Sequence, residues 1–378
     1  MSAGANAAAG PRNAVSRRWT NLVQGSTNSL IFGVLVILIV VFTVMSPGHR
    51  FFTADNFTTL AADTAEILLL AAGETYIMIA GGIDLSCGAF VVFSAVIAAD
   101  LVAHISASPT DAANLVFPHI ALGICAGVIG GIAAGSAWGW VNGFISERWH
   151  VPPFIVTLGT LGMSLGAAQL ITGGLNVPNV PPAFQSSFGL GRIWGLPWIA
   201  LIAAAVVAIL WLLLHQTRFG LRTYAIGSNP EASRRAGINV ERHLILLYTL
   251  MGMLAGLVGV LDVARFDTAS IAAHTTDNLQ AIAAAAIGGV SLYGGKGRMS
   301  GTIIGAFIPA VLRNGFILLG LQPYWQEVAV GAVLIIAVYV DQIRRRGVIS
   351  AALAGSDEQQ QDDGPIPGTR EVTVDAGE

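Results

Sequence analysis

Apolar runs of near-membrane length alternate along the chain with short polar breaks. Ten runs lie near residues 30–45, 59–80, 87–107, 119–145, 153–172, 197–214, 244–265, 278–294, 300–320 and 325–343. The hydrocarbon core of a bilayer takes about 20 apolar residues of helix. The pattern therefore predicts an all-α polytopic membrane protein with about ten transmembrane helices. The first and eighth runs are short, and the second carries Asp63, Glu66 and Glu74. The fourth has a glycine at every fourth position: Gly123, Gly127, Gly131, Gly135, Gly139 and Gly143. Such a stripe lets helix backbones approach closely in lipid, where no hydrophobic force drives helices together. It predicts helix packing, with pore lining as the alternative, and a place for this span in the bundle centre.

The polar breaks carry the local signals. The largest, residues 215–243, contains the prescription for one short helix. Asn229 is the N-cap and Pro230 the first helical residue. Glu231 lies at the positive end of the dipole, Arg234 and Arg235 at the negative end, and Gly237 stops the helix. Isolated helices shorter than about 12 residues are marginal in water, so this one needs packing against its own domain or a partner. Two other breaks, AGGIDLSCGAF (80–90) and IGGVSLYGGKG (287–297), look like distant copies and predict a parallel internal repeat. Their residues Gly81, Gly82, Asp84, Ser86, Gly288 and Gly289 are candidates for a transport pathway or a helix break. A carboxylate among apolar spans is costly and marks a pathway or a structural pairing. The plainer reading is that Asp84 closes the N-terminus of the third span.

Charge predicts orientation. Only 11% of residues are charged, against about 25% in an ordinary soluble domain. The net charge of −3 comes from the end of the chain, where seven acidic residues follow Ala351. Of the 19 Lys and Arg, all but Arg50, Arg192, Arg265 and Arg313 fall on the inner side if both termini are cytoplasmic and ten spans separate them. The division is then a cytoplasmic N-terminal segment (1–29), a transmembrane domain (30–345) with a cytoplasmic loop at 215–243, and a disordered acidic tail (346–378). No basic run with interleaved aromatics points to nucleic acid. Cys87 and Cys125 lie in apolar sequence without ligand spacing, which favours packing over metal or disulfide chemistry. Around Lys296 the phosphate-loop pattern is incomplete, with Val290 and Gly297 at its outer positions, so ATP would be hydrolysed by another chain. Gly162 to Gly166 match a hydrolase nucleophile pattern, but inside an apolar helical run. No catalytic, cofactor-binding or metal-binding residues are expected.

Four ordered segments, GGIDLSCGAFVVFSAVIAA (81–99), VPPFIVTLGTLGMSLGAAQLITGG (151–174), IGSNPEASRRAGINVER (226–242) and AIAAAAIGGVSLYGGKGRMSGTIIGA (281–306), resemble the permease subunit of ribose-type ABC sugar importers. Cys87 departs from the family's usual Val. The resemblance implies a membrane subunit of the bacterial inner membrane that works with a cytoplasmic ATPase, a periplasmic sugar-binding protein and a second permease copy or paralogue. It also implies that Glu231, Ala232 and Gly237 belong to a coupling helix seated in the ATPase, with Ser233 where the family has alanine. Permeases for branched-chain amino acids or nucleosides share this architecture. From the residues alone, an ion-coupled secondary transporter and a membrane scaffold stay open.

Overall fold

The computed structural model describes Ser29, residues 31–178, 180–322 and positions 324, 325, 327–332, 335, 336, 339 and 342. The predicted N-terminal segment up to residue 28 and the acidic tail lie outside the described residues, as does much of the tenth span. Helix α1 (Ile31–Met45) leads through a 3-10 turn to α2 (Ala54–Ile79) and α3 (Cys87–Ser106). A short α4 (Pro109–Ala113) precedes α5 (Ile120–Arg148) and α6 (Pro153–Thr172). One turn of helix, α7 (Pro182–Phe184), and a two-residue hairpin, β1 (Arg192–Ile193) with β2 (Leu196–Pro197), lead into α8 (Trp198–Gln216). Then come α9 (Arg218–Ser228), α10 (Pro230–Arg235), α11 (Val240–Phe266), α12 (Asp277–Ile287) and α13 (Met299–Leu318).

Among the described residues, six helices are long and apolar enough to cross a membrane: α3, α5, α6, α8, α11 and α13. Of the other predicted runs, α1 is short, α2 is long but interrupted by carboxylates, and α12 has 11 residues. The shortness of α12 has a local cause. Gly289 takes φ +82°, its N–H donates to Ala286 O, and the Val290 N–H donates to Ala285 O, a paired stop that only a left-handed residue can make. Helix α2 ends the same way at Gly81 (φ +90°), with Gly81 N–H donating to Met78 O and Gly82 N–H to Ile77 O. The two Gly-Gly segments thus share a helix-stopping device, but the left-handed glycine is the first of its pair in one and the second in the other. The chain after them also diverges, since α3 begins at Cys87 and α13 not until Met299.

The core lies between α2, α3, α11, α12 and α13. Helices α3, α11 and α13 are 61% buried over their apolar windows, whereas α5 is 22% and α6 and α8 are each 28% buried. Helix α5 is therefore peripheral, which corrects the expected place in the bundle centre. Its six stripe glycines occupy one face, and that face is the buried one. A Cβ on Gly127 would come within 2.8 Å of Ala98 O on α3, and one on Gly135 or Gly139 within 2.3 Å or 2.2 Å of the α11 carbonyls of Gly252 and Tyr248. Elsewhere in the stripe, Gly123 meets Ser106, Gly131 meets Val260 and Ser94, and Gly143 meets Ile245. The opposite face of α5 carries Leu122, Ile129 and Trp140, all exposed.

Candidate functional site

Local chemistry builds α10. The Asn229 side chain accepts from the Ala232 N–H at 2.9 Å, and Pro230 opens the helix. Gly237 (φ +81°) closes it, its N–H donating to Arg234 O while the Ile238 N–H donates to Ser233 O. The Ser233 hydroxyl turns back to donate to Asn229 O at 2.9 Å, and Ser233 is buried against its own domain. What α10 presents outward is Pro230, Glu231, Ala232, Arg234, Arg235, Ala236 and Gly237. Glu231 pairs with Arg235 at 3.4 Å, and Arg234 reaches Glu241 at the start of α11 at 3.1 Å.

Sequence reasoning missed α9, the element that fixes α10 to the bundle. Its buried positions are Gly220, Thr223 and Ile226, whose three-residue spacing was a faint helical signal. Thr217 caps it by accepting from the Phe219 N–H. Thr223 hydrogen-bonds His243 of α11 at 2.8 Å, and the Tyr224 hydroxyl donates to Gly297 O at 2.8 Å. Ile79 O, at the end of α2, accepts from the Gly295 N–H at 2.8 Å, and Gly227 lies so close that an added Cβ would fall 1.8 Å from that carbonyl. The helix bearing α10 is therefore wedged against the chain at the end of α2 and the loop that follows α12.

The candidate pathway residues assemble differently from a helix cap. Ser86, not Asp84, is the N-cap position of α3. Asp84 lies two residues earlier, so its carboxylate accepts from the Ser86 N–H at 2.7 Å and from the Ser86 hydroxyl, closing an Asx turn. The network continues, with Asn142 donating to Ser86 at 2.8 Å and Thr160 donating to Asn142 at 2.6 Å. Glu74 of α2 accepts from the Asp84 N–H at 3.1 Å. This buried polar chain ties α2, α5 and α6 to the break before α3. Gly82 packs on Tyr248, Gly81 on Gly294, and Gly288 on Gly301 and Thr302 of α13. Cys87 is buried and Cys125 exposed, and both are free thiols. The Gly162–Gly166 pattern lies in the middle of α6, away from any strand-to-helix turn.

The fold is a polytopic helical bundle with a capped surface helix braced against its core. Residues 56–338 match the family model described as "Branched-chain amino acid transport system / permease component", and the chain belongs to this family. It is similar to the ribose import permease protein of Escherichia coli K12, 36% identical over 81% of this chain and 91% of that protein. It is also similar to the fructose import permease protein of Rhizobium meliloti, 32% identical over 83% and 84%. The D-allose transport system permease protein of Escherichia coli K12 is 33% identical over 82% and 90%. No solved structure matches the chain.

Proposed function

We propose that this chain is the membrane subunit of an ATP-driven importer that carries a monosaccharide, delivered by an external binding protein, into the cytoplasm by alternating access. The observation that carries the reading is the attachment of α10. A short, fully capped helix stands exposed at one end of the bundle and is fixed through α9 to the ends of α2 and α12. A push on α10 is thereby delivered to core helices rather than absorbed by a loose loop. The names of the relatives supply the cargo class, since they import ribose, fructose and D-allose.

In this reading α10 docks into a cytoplasmic ATPase, with Glu231, Ala232, Arg234, Arg235 and Gly237 at the contact. ATP binding in the partner shifts the bundle between two openings. Two permease copies, or one copy and a paralogue, enclose the path. Ten crossings put both termini in the cytoplasm of a bacterial inner membrane. The ATPase and the binding protein then influence each other's affinity reciprocally. The family description favours one second reading, a branched-chain amino acid as cargo.

Inverted membrane vesicles holding this chain with and without its ATPase, with the binding protein and labelled sugar enclosed and ATP added outside, test the proposal by the release of label. Transport that requires both chains and ATP is expected. Transport by this chain alone, driven by an ion gradient, would show a secondary transporter instead.

A further inference from the structure

The end of the bundle opposite α10 holds a cavity of about 460 Å³, within the roughly 300–1,000 Å³ of small-molecule sites. It lies about 35 Å along α11 from Val240, between α2, α11, α12, α13 and the loop at 267–276. Two ion-pair clamps form its walls. Arg265 of α11 binds Asp63 and Glu66 of α2, the latter at 3.0 Å. His274 binds Asp262 at 3.3 Å and Asp277 at 2.6 Å. The clamps join α2 to α11 and the 267–276 loop to α11 and α12.

Gln280, on α12, lines the same cavity and is 2% exposed. Its amide nitrogen donates to Thr276 Oγ1 at 3.3 Å, while its Oε1 has no hydrogen-bond partner among the described residues. A buried acceptor without a donor costs about 1–3 kcal/mol, so a solute hydroxyl placed there recovers that cost. The rest of the lining is polar or small. Among the described residues no Val, Leu, Ile or Met contributes, and the apolar lining is Phe266, Ala272 and Ala273. A branched aliphatic side chain would find almost no matching surface here and would strip water from charged groups.

We infer that this cavity is a passage site for a neutral polyhydroxylated solute, a monosaccharide or polyol, whose hydroxyls donate to Gln280 and the carboxylates and accept from Arg313. The inference rests on the importer reading above and narrows its cargo to sugars rather than branched-chain amino acids.

The test uses the importer reconstituted with its own ATPase and binding protein, and labelled D-ribose, D-fructose, D-galactose and L-leucine as probes. Gln280→Met keeps the length of the side chain and removes the acceptor. The sugar carried per ATP hydrolysed is expected to fall about tenfold, the equivalent of one lost hydrogen bond. Ala272→Trp, on an exposed loop position, fills the cavity and is expected to lower the same ratio, so the test survives if the first variant misfolds. Sugar transport by both variants at the wild-type ratio would overturn the inference, as would wild-type transport of leucine in place of sugars. Failure of the importer reading looks different, because wild type would then carry none of the four probes in an ATP-dependent way, and the inference would fall with it.

Discussion

Single atoms decide several positions in this bundle. A Cβ on Gly139 would fall 2.2 Å from Tyr248 O, a backbone atom that cannot swing away, whereas nothing lies within 4 Å of the Cβ position of Gly162 on α6. Gly139→Ala is therefore expected to destabilise the protein by about 1–3 kcal/mol. Gly162→Ala should be neutral or stabilising by up to about 1 kcal/mol, because alanine is the better helix former. Thermal unfolding of the two variants in detergent checks the contrast, and equal melting temperatures would contradict it. His274 makes a second prediction. Burial opposes its charging, but Asp277 and Asp262 outweigh burial and hold its pKa well above that of an ordinary histidine. A histidine in the unfolded chain titrates near about 6.5. The stabilisation is thus complete below that pH, declines as pH rises past it, and is gone above the folded-state pKa. Wild type should lose more thermal stability than His274→Gln between about pH 6 and about pH 9, and parallel losses would show that the histidine adds nothing.

At the scale of elements, α10 depends on its cap more than a longer helix would, since six residues leave few internal hydrogen bonds. Asn229→Ala removes a cap worth about 1 kcal/mol and should speed amide exchange across residues 231–237 about fivefold, while Asn229→Asp restores protection. Unchanged exchange in the alanine variant would mean that packing on α9 alone holds the helix. α10 was legible in the sequence because every signal that makes it lies within nine residues, from Asn229 to Gly237. The span α6 was legible too, since Pro153 opens its apolar run and Gly173, in the left-handed conformation, closes it. α12 was read too long because Gly288, Gly289 and Val290 look apolar in a hydropathy window, although the paired backbone stop ends the helix there. α9 was missed because its buried positions, Gly220 and Thr223 among them, are not hydrophobic.

Across the whole molecule, the two ends share the same helices. α2 and α11 carry Asp63, Glu66, Asp262 and Arg265 at the cavity, and their opposite ends meet α9 and α10. The cavity was not legible in the sequence, because Arg265 finds its partners 199 and 202 residues away in the chain. In the sequence Asp63 and Glu66 are two carboxylates on the second apolar run, and the fold pairs both with Arg265. The glycine stripe gave the contact face of α5 but not its position, since a one-sided stripe is equally suited to the rim of a bundle. The central claim is that force reaches this bundle through α10. Ala232→Trp tests it most directly, because Ala232 is exposed and supports nothing in its own domain, yet lies where the partner ATPase is proposed to close over α10. In the reconstituted importer, binding-protein-stimulated ATP turnover is predicted to fall at least about tenfold, with the melting temperature of the permease itself unchanged. Stimulation equal to wild type in a correctly folded Ala232→Trp complex would contradict the account.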